Sequence, residues 1–187
     1  MNLSKKGLLT LEEFFELRTS TEKILEYIDG AVFMSPSPST RHQRISSRLH
    51  AQLFNHLKNS KCEVFPAPYD IELQCKQMTG TKIVVPDLSV ICEKSGIKEN
   101  KFVGVPELII EIISPSNQAH DLVLKLNLYM QYGVKEYWIV NPLLSTVQLY
   151  TLNDFGQYQQ ADVLKEKGIA RSVILEGFAV DITELFL

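Results

Sequence analysis

The chain contains 187 residues, of which 45% are hydrophobic and 22% are charged, and its 19 basic and 22 acidic residues give a formal net charge of −3. Because single domains commonly span about 100–200 residues, this length predicts one globular domain over residues 1–187. Proteins that coat nucleic acid non-specifically carry a large excess of Lys and Arg, so the mild acidity argues against that class.

The cellular compartment is predicted from apolar runs and cysteines. A membrane span requires about 20 apolar residues, and no run approaches this length. The first residues turn acidic instead of forming a secretory apolar core, so we expect a cytoplasmic protein without membrane contact. The three cysteines, Cys62, Cys75 and Cys92, are odd in number and widely spaced. They predict neither a disulfide framework nor a zinc-binding CxxC pair, and we expect reduced, buried thiols.

The first third of the chain predicts a helix, a hairpin and a second helix. Thr10 followed by Glu13 is a capping-box pattern, which predicts a short helix ending at residue 16 or 17. Residues 23–34 predict two strands joined by a turn at Asp29-Gly30. After the loop 35–40, apolar residues recur at every fourth position and predict a helix of about twenty residues. These apolar residues are Ile45, Leu49, Leu53 and Leu57.

The remainder of the chain predicts strands around one more helix. This helix begins at Asn117 or Gln118, reaches about Tyr132 and stops at Gly133. The predicted strands are 63–66, 70–74, 83–92, 107–113, 137–140 and 147–151, and a short apolar segment, 182–187, closes the chain. The order predicts an α/β or α+β fold in which a mixed β-sheet is covered by two principal helices.

Three charged residues stand out because they interrupt apolar elements. The first, Glu111, lies inside the apolar strand 108–113, on the same face as Ile109 and Ile113. A carboxylate without a partner in a buried strand costs several kcal/mol or becomes protonated, so Glu111 requires a partner. A salt bridge or a strand end that reaches solvent would explain the charge without any catalytic role.

The other two charged residues are Asp87 and Lys125. Asp87 follows Pro86 after a run of β-branched residues, and a proline there favours a strand start, an edge or a bulge that aims a side chain into a cleft. Lys125 lies beside the apolar stripe of its helix. The alternatives are a turn-capping aspartate, and a lysine that pairs with Asp121 at the surface or covers apolar surface with its stem.

Together these residues fit metal-dependent phosphodiester hydrolysis. Two carboxylates, Asp87 and Glu111, would hold Mg²⁺ or Mn²⁺, and Lys125 would polarise the attacking water or stabilise charge on the phosphate. The four histidines do not have HExxH spacing, and only His42 is retained as a neighbour of this site. The sequence contains neither a nucleotide-binding glycine loop nor the GxSxG elbow of α/β-hydrolases.

Four blocks of sequence also resemble a known family. They are residues 26–30 (EYIDG), 86–90 (PDLSV), 106–116 (PELIIEIISPS) and 133–142 (GVKEYWIVNP), the last preceded by Asp121, Lys125 and Tyr129. In this order they resemble the Uma2 family, which is assigned to the PD-(D/E)XK superfamily of restriction-endonuclease-like nucleases. The resemblance runs from about Leu11 to the C-terminus and implies a restriction-endonuclease-like core with a Mg²⁺-dependent site.

The resemblance implies a role for each candidate site residue. The aspartate of the superfamily name falls on Asp87 and the second carboxylate on Glu111, both as metal ligands. The residue two positions later, where the superfamily has its lysine, is Ile113, so the resemblance assigns that role to Lys125. Glu26 corresponds to the carboxylate before the family's Asp-Gly turn. Three interpretations of Glu26 stay open: an auxiliary metal ligand, a group that orients the attacking water, or an exposed strand residue.

We therefore predict a Mg²⁺-dependent endonuclease that acts on DNA and uses the carboxylates and the lysine named above. The main alternative is a non-catalytic nucleic-acid-binding or regulatory module that retains the nuclease fold. A third possibility is a structural interaction protein with Tyr137 and Trp138 on a dimer surface. By analogy with nucleases of this fold that act on two strands, we also expect a homodimer that presents two sites.

Overall fold

The computed structural model of the protein describes residues 7–35, 37–114 and 120–187, except for the side chains of His120 and Asp121. Within these ranges the helices are α1 (Leu11–Thr19), α2 (Thr40–His56), α3 (His120–Tyr132) and α4 (Ile182–Leu185), and a 3-10 turn covers Lys94–Gly96. The strands are β1 (Leu25–Ile28), β2 (Ala31–Met34), β3 (Glu63–Pro66), β4 (Asp70–Leu73), β5 (Lys82–Val84), β6 (Leu88–Ile91), β7 (Lys101–Gly104), β8 (Leu108–Ile112), β9 (Glu136–Asn141), β10 (Thr146–Leu152), β11 (Tyr158–Lys165), β12 (Ile169–Arg171) and β13 (Ala179–Asp181).

The strands form two principal sheets and one small sheet. The first sheet has the strand order β2-β1-β5-β4-β7 and the second the order β11-β10-β9-β8-β6-β3, while β12 and β13 pair separately. Both principal sheets are mixed, because β4 runs parallel to β7 and β8 runs parallel to β9, whereas the other neighbours are antiparallel. The predicted α+β class is confirmed, with the difference that the strands divide into more than one sheet.

The second sheet is buried on both faces around β8 and β9. Alternate residues of β8 point to opposite faces, so Leu108 and Ile110 join the core under α2, whereas Ile109 joins a second core with Tyr129 of α3. All six residues of β9 are likewise buried. Burial on both faces explains why these strands are nearly continuous apolar runs. It also makes the middle of β8 an unfavourable place for a charge.

The helix predictions are confirmed with small changes in their bounds. In α1 the capping box is present, since Glu13 N donates to Thr10 Oγ1 at 3.2 Å and Thr10 N donates to Glu13 Oε2 at 2.7 Å, and the helix continues to Thr19. Helix α2 has 17 residues. Helix α3 ends before Gly133, whose φ of +85° suits a residue without a side chain. Its predicted start at residue 117 or 118 lies outside the described residues.

Among the strand predictions, the hairpin at Asp29-Gly30 is confirmed and the strand 83–92 is wrong. The latter is two strands, β5 in the first sheet and β6 in the second. Pro86 has no N–H to continue a ladder, and the chain changes sheets at this point. Strands β7, β11, β12 and β13 were not predicted from the sequence. Strand β11 is exposed along most of its length at a sheet edge, so it lacks the apolar alternation of a half-buried strand.

The expectation of three reduced, buried cysteines is wrong. Cys62 and Cys92 form a disulfide, and Cys75 is free. Strands β3 and β6 are antiparallel neighbours with Glu63 opposite Ile91, and this register brings the residue before Glu63 to the residue after Ile91. A cysteine count contains no information on strand register, which is why the pairing was not predicted. All three cysteines are partly buried.

The alternative of a dimer surface around Tyr137 and Trp138 is also wrong. Both residues are 0% exposed. Because they are consecutive on β9, they lie in the two cores on opposite faces of the second sheet. Within the described part of the chain, no helix is both long and apolar enough to cross a membrane.

Candidate active site

The candidate site lies where the chain crosses between the two principal sheets. Residues 67–69 lead from β3 in the second sheet to β4 in the first, and residues 85–87 lead back from β5 to β6. The crossings contact each other, since Ala67 N donates to Asp87 O at 3.0 Å. Beside them is a pocket of about 200 Å³. Its lining includes His42, Gln43, Asp87, Glu111, Lys125 and Tyr137. The three charged residues identified in the sequence therefore meet at one pocket.

The carboxylate of Asp87 is held from two sides. Ile112 N, at the end of β8, donates to Oδ2 at 2.7 Å, and His42 Nε2 lies 3.2 Å from Oδ1. His42 is in the first turn of α2, which Ser39 caps by accepting a hydrogen bond from His42 N. Burial alone would lower the pKa of His42, but the hydrogen bond and the charge of Asp87 outweigh burial, and the pKa is raised. The helix cap thus fixes the imidazole against Asp87.

Glu111 has the partners that its position requires. Its Oε1 accepts hydrogen bonds from Lys125 Nζ at 2.9 Å and from the Tyr129 hydroxyl at 2.8 Å. Lys125 and Tyr129 are four residues apart on α3, so both side chains reach β8 from the same face of the helix. The Glu111 side chain is 14% exposed, which excludes the explanation that it extends from a strand end into solvent.

Lys125 connects the two principal sheets. Its Nζ contacts Glu111 Oε1 on β8 of the second sheet at 2.9 Å and Glu26 Oε1 on β1 of the first sheet at 3.0 Å. Glu26 is 3% exposed, and its Oε1 also accepts a hydrogen bond from Val85 N at 2.8 Å. Glu26 is therefore not an exposed strand residue. The Lys125 side chain is 13% exposed, so it is a buried cation and not the surface lysine of the alternative interpretation.

The charged groups of the site act strongly on one another because they are shielded from water. Burial raises the pKa of Glu111 to about 7; Lys125 opposes this shift, while Asp87 and Glu26 add to it. Burial would lower the pKa of Lys125, but its two carboxylate partners outweigh burial and the pKa is raised, so Lys125 is protonated at neutral pH. Burial and then Glu111 raise the pKa of Tyr129, whose hydroxyl therefore stays a hydrogen-bond donor.

The chain matches one known protein family over most of its length. The family model Uma2, described as "Putative restriction endonuclease", matches residues 11–183. The chain belongs to the Uma2 family. A protein of Synechocystis sp. (strain ATCC 27184 / PCC 6803 / Kazusa) described as uncharacterized is 31% identical over 180 residues, which cover 93% of this chain and 90% of that protein.

A solved structure supports the fold of this Uma2 family member. It is the crystal structure of a protein from Anabaena variabilis that is titled a "putative nuclease belonging to DUF820". The two structures agree with a TM-score of 0.76 at 23% identity, over 95% of this chain and 97% of the other. The expectation of a restriction-endonuclease-like fold is confirmed by this likeness.

In this Uma2 family member, the strand position two residues after Glu111 does not supply a lysine to the site. Ile113 occupies it and packs against the core under α3. The lysine that contacts Glu111 is Lys125 of α3, as the sequence comparison of the blocks implied. The structure shows this contact between Lys125 and Glu111. The catalytic role of Lys125 stays a prediction.

The oxygen donors at the pocket fit Mg²⁺ or Mn²⁺. Asp87 and Glu111 line the same pocket, and the charge of Asp87 contributes to the raised pKa of Glu111. Mg²⁺ is commonly held by one or two carboxylates together with water and substrate phosphates. Among the described residues, no group of three or more His, Cys, Asp and Glu side chains is placed to share an ion. The assignment of Asp87 and Glu111 as metal ligands stays a prediction.

Two tyrosines of the site, Tyr129 and Tyr137, were not predicted as site residues from the sequence. Tyr129 contacts Glu111, and its position one helical turn after Lys125 was the signal that could have found it. Tyr137 lines the pocket, and its buried hydroxyl has no hydrogen-bond partner among the described residues. It reaches the pocket through the pairing of β9 with β8, where Tyr137 is opposite Ile109. No local pattern predicts that pairing.

Proposed function

We propose that this protein is an endonuclease that hydrolyses phosphodiester bonds in DNA with Mg²⁺ or Mn²⁺ as its cofactor. The observation that supports this most is the ammonium group of Lys125, which is held between two buried carboxylates at a pocket that also contains Asp87. Oxygen ligands for a hard cation and a fixed positive charge are the groups that phosphoryl chemistry needs. Membership of the Uma2 family supports a nucleic-acid substrate.

In this proposal Asp87 and Glu111 hold the metal ion, which when bound supplies Lewis-acid stabilisation of charge on the phosphate. Neighbouring groups of the protein orient both carboxylates. Ile112 N and His42 orient Asp87, and the Tyr129 hydroxyl orients Glu111. Carboxylates that share a pocket repel one another, so a cation between them relieves an unfavourable interaction.

Lys125 acts in this proposal as a fixed positive charge and not as a base, because it is protonated at neutral pH. Its ammonium group donates a hydrogen bond to the attacking water or to a phosphate oxygen and stabilises the negative charge of the transition state. Glu26 is a positioning residue, since its Oε1 accepts hydrogen bonds from both Lys125 and Val85 N and so holds the ammonium group in place.

A cleavage assay tests the proposal. Supercoiled plasmid DNA, labelled single-stranded DNA and labelled RNA are each incubated with the protein in the presence of Mg²⁺, Mn²⁺ or EDTA. We expect metal-dependent DNA cleavage that Asp87→Asn and Glu111→Gln abolish. Lys135→Gln changes an exposed lysine and should leave cleavage unchanged. Cleavage of RNA alone would correct the substrate. If the wild type cleaves no substrate with either metal, a non-catalytic nucleic-acid-binding or regulatory module becomes the better conclusion.

A further inference from the structure

The charges of the chain are distributed unevenly along its sequence. Between Ala31 and Cys62 there are five basic residues and no Asp or Glu, although the whole chain has more acidic than basic residues. The basic residues are Arg41, Arg44, Arg48, Lys58 and Lys61. This segment contains α2, the helix that brings His42 to the pocket.

Helix stability does not explain the charges of α2. Acidic residues stabilise the first turn of a helix and basic residues the last turn, because they complement the helix dipole. Helix α1 follows this rule, with Glu12 and Glu13 in its first turn and Arg18 in its last. Helix α2 has Arg41 in its first turn and no acidic residue there. A positive charge at the positive end of a helix lowers helix stability, so this departure from the local rule points to a function.

Three of the basic residues also have no acidic partner among the described residues. Arg48 has a structural use, since its Nη1 donates hydrogen bonds to two backbone carbonyls near the end of α4. Arg41 donates a hydrogen bond to a serine hydroxyl. Arg41, Arg44 and Lys58 are exposed, and over residues 7–35, 37–114 and 120–187 none of the three forms an ion pair. Their charges are therefore available to an anionic partner.

The exposed basic residues begin at the rim of the pocket. His42 and Gln43 line the pocket, and Arg41 and Arg44 flank them at the same end of α2. Lys58 lies just beyond the other end of the helix. At a rise of about 1.5 Å per residue, it is roughly 20 Å from Arg44 along the helix axis. The exposed side of α2 thus carries positive charge beside the pocket and again at its far end.

We propose that this exposed face of α2, defined by Arg41, Arg44 and Lys58, binds the phosphate backbone of the DNA; the inference rests on the proposed nuclease function. Phosphates along a strand complement basic side chains that have no acidic neighbours, and their binding releases counterions. The dipole of α2 adds partial positive charge at its N-terminal end, next to the pocket. Contacts of this kind position a duplex without reading its sequence.

Binding of a short fluorescein-labelled DNA duplex in EDTA, which suppresses metal-dependent cleavage, tests this surface. The test variant is Arg41→Gln/Arg44→Gln, because Gln has a helix propensity close to that of Arg. The matched control is Lys135→Gln/Lys167→Gln, which removes the same charge from exposed lysines outside α2. Loss of positive charge from the N-terminal half of α2 does not weaken the helix, so the melting temperature of the test variant should equal or exceed the wild-type value.

At about 0.1 M salt we expect the test variant to bind about ten-fold more weakly than the wild type, and the slope of log affinity against log salt concentration to decrease by about 2. The control variant should bind like the wild type. An equal loss in the control would mean that net charge alone matters, and would overturn the assignment to α2. Wild-type affinity and slope in the test variant would overturn it while leaving the cleavage proposal intact, whereas a wild type that neither binds nor cleaves DNA would remove both.

Discussion

At the scale of single residues, the ion pairs of Lys125 differ from surface salt bridges because of where they lie. Surface pairs contribute about 0–1 kcal/mol, whereas removing one partner of a buried pair costs about 3–5 kcal/mol, since the other charge is left without a partner. Lys125 has two carboxylate partners, Glu26 and Glu111, and all three side chains are largely enclosed. Loss of the ammonium group would leave both carboxyl groups in the same buried region without their cationic partner.

Lys125→Met is therefore expected to lower the free energy of unfolding by about 3 kcal/mol at neutral pH. It should also reduce the rate of DNA cleavage by about 10²–10³-fold, as the loss of a transition-state electrostatic contact does. Met keeps an apolar stem of similar size, so the variant isolates the charge. Urea unfolding and plasmid cleavage measure the two effects, with Lys135→Met as the exposed control. Wild-type stability and cleavage would mean that the ammonium group serves neither purpose.

The same variant has an expected pH dependence. The pKa of Glu111 is about 7 in the folded protein against an ordinary value of 4.5, and loss of Lys125 removes a group that lowers it. The folded variant then keeps a proton that the unfolded chain releases above about pH 4.5. Stability of the variant is therefore greatest below about pH 4.5 and falls as the pH rises from there to beyond 7, where the folded variant also loses the proton. Equal free energies of unfolding on both sides of this range would contradict the assignment.

Divalent metal should raise the melting temperature, because an ion that binds only the folded state stabilises that state. Asp87 and Glu111 line one pocket, where Mn²⁺ would relieve their repulsion. Titration calorimetry with Mn²⁺ on the wild type and on Asp87→Asn measures the interaction directly. If the wild type gives no heat, or Asp87→Asn gives the same heat, the metal has to be removed from the proposed function.

Residues of the site could be predicted from the sequence where they broke a local pattern. Glu111 interrupts an apolar strand and Lys125 lies beside an apolar helix stripe, and both are found at the pocket. Glu26 could not be distinguished from an exposed strand residue, because its partner Lys125 is 99 residues away in the sequence. The contact between His42 and Asp87 joins a helix cap to a sheet crossing, and no spacing in the sequence contains that information.

At the scale of secondary-structure elements, one buried carboxylate holds the C-terminal part of the chain to the second sheet. Glu136, at the start of β9, is 0% exposed. Trp138 Nε1 donates to its Oε1, and Ser172 Oγ, Val173 N and Ile174 N donate to its Oε2. These four hydrogen bonds satisfy the oxygens of the buried side chain and attach the connection between β12 and β13 to β9.

Glu136→Ala would leave these donors without their acceptor, so we expect the free energy of unfolding to fall by about 3 kcal/mol. Glu176→Ala is the control, because Glu176 is an exposed residue of the same connection. Guanidinium unfolding followed by circular dichroism measures the difference. Glu136 is not part of the pocket lining, so the heat of Mn²⁺ binding should not change. Similar stability of the two variants would show that the connection does not depend on Glu136.

Elements with an apolar face were predictable, and elements defined by their neighbours were not. The four-residue spacing of apolar residues in α2 identifies Ile45, Leu49 and Leu53, which are buried in the helix, but not the buried His42. Strand β11 is polar and is defined by its pairing with β10, which the sequence does not display. Strands β5 and β6 are both fully buried, so they look like one strand. Their separation into two sheets depends on distant partners, β1 for one and β8 for the other.

At the scale of the whole molecule, the disulfide between Cys62 and Cys92 closes a segment that contains both crossings between the sheets. The two cysteines are 30 residues apart in the sequence, and Asp87 lies between them. Closing a loop of this length restricts the unfolded chain and contributes about 3–4 kcal/mol in the chain-entropy model. The disulfide therefore stabilises the part of the chain that carries a proposed metal ligand.

Reduction, or the double substitution Cys62→Ser/Cys92→Ser, is expected to lower the free energy of unfolding by about 3–4 kcal/mol. Thiol titration of the denatured protein should find one thiol, that of Cys75, before reduction. Three thiols in protein kept under oxidising conditions would contradict the disulfide. Since disulfides are rare in the cytoplasm, the same titration on freshly lysed cells also bears on the predicted cytoplasmic location.

The predicted homodimer is likewise a property of the whole molecule. Cleavage of two strands needs two sites, and a two-fold dimer presents them. Its interface cannot involve Tyr137 and Trp138, because both are enclosed in the cores of one chain. Light scattering at micromolar concentration measures the mass in solution, and the mass of a single chain would contradict the dimer.

The uneven distribution of charge also affects how DNA would approach the protein. Outside the segment from Ala31 to Cys62, the chain has 14 basic and 22 acidic residues. The basic segment would contribute a positive potential that attracts a polyanion at α2, while the net negative charge of the remaining chain would repel it. A DNA molecule that diffuses towards the protein would be oriented before contact. Collisions at α2 and the adjacent pocket would then be more frequent than expected from the fraction of the surface that these regions occupy. This orientation would weaken with added salt as the Debye length shortens.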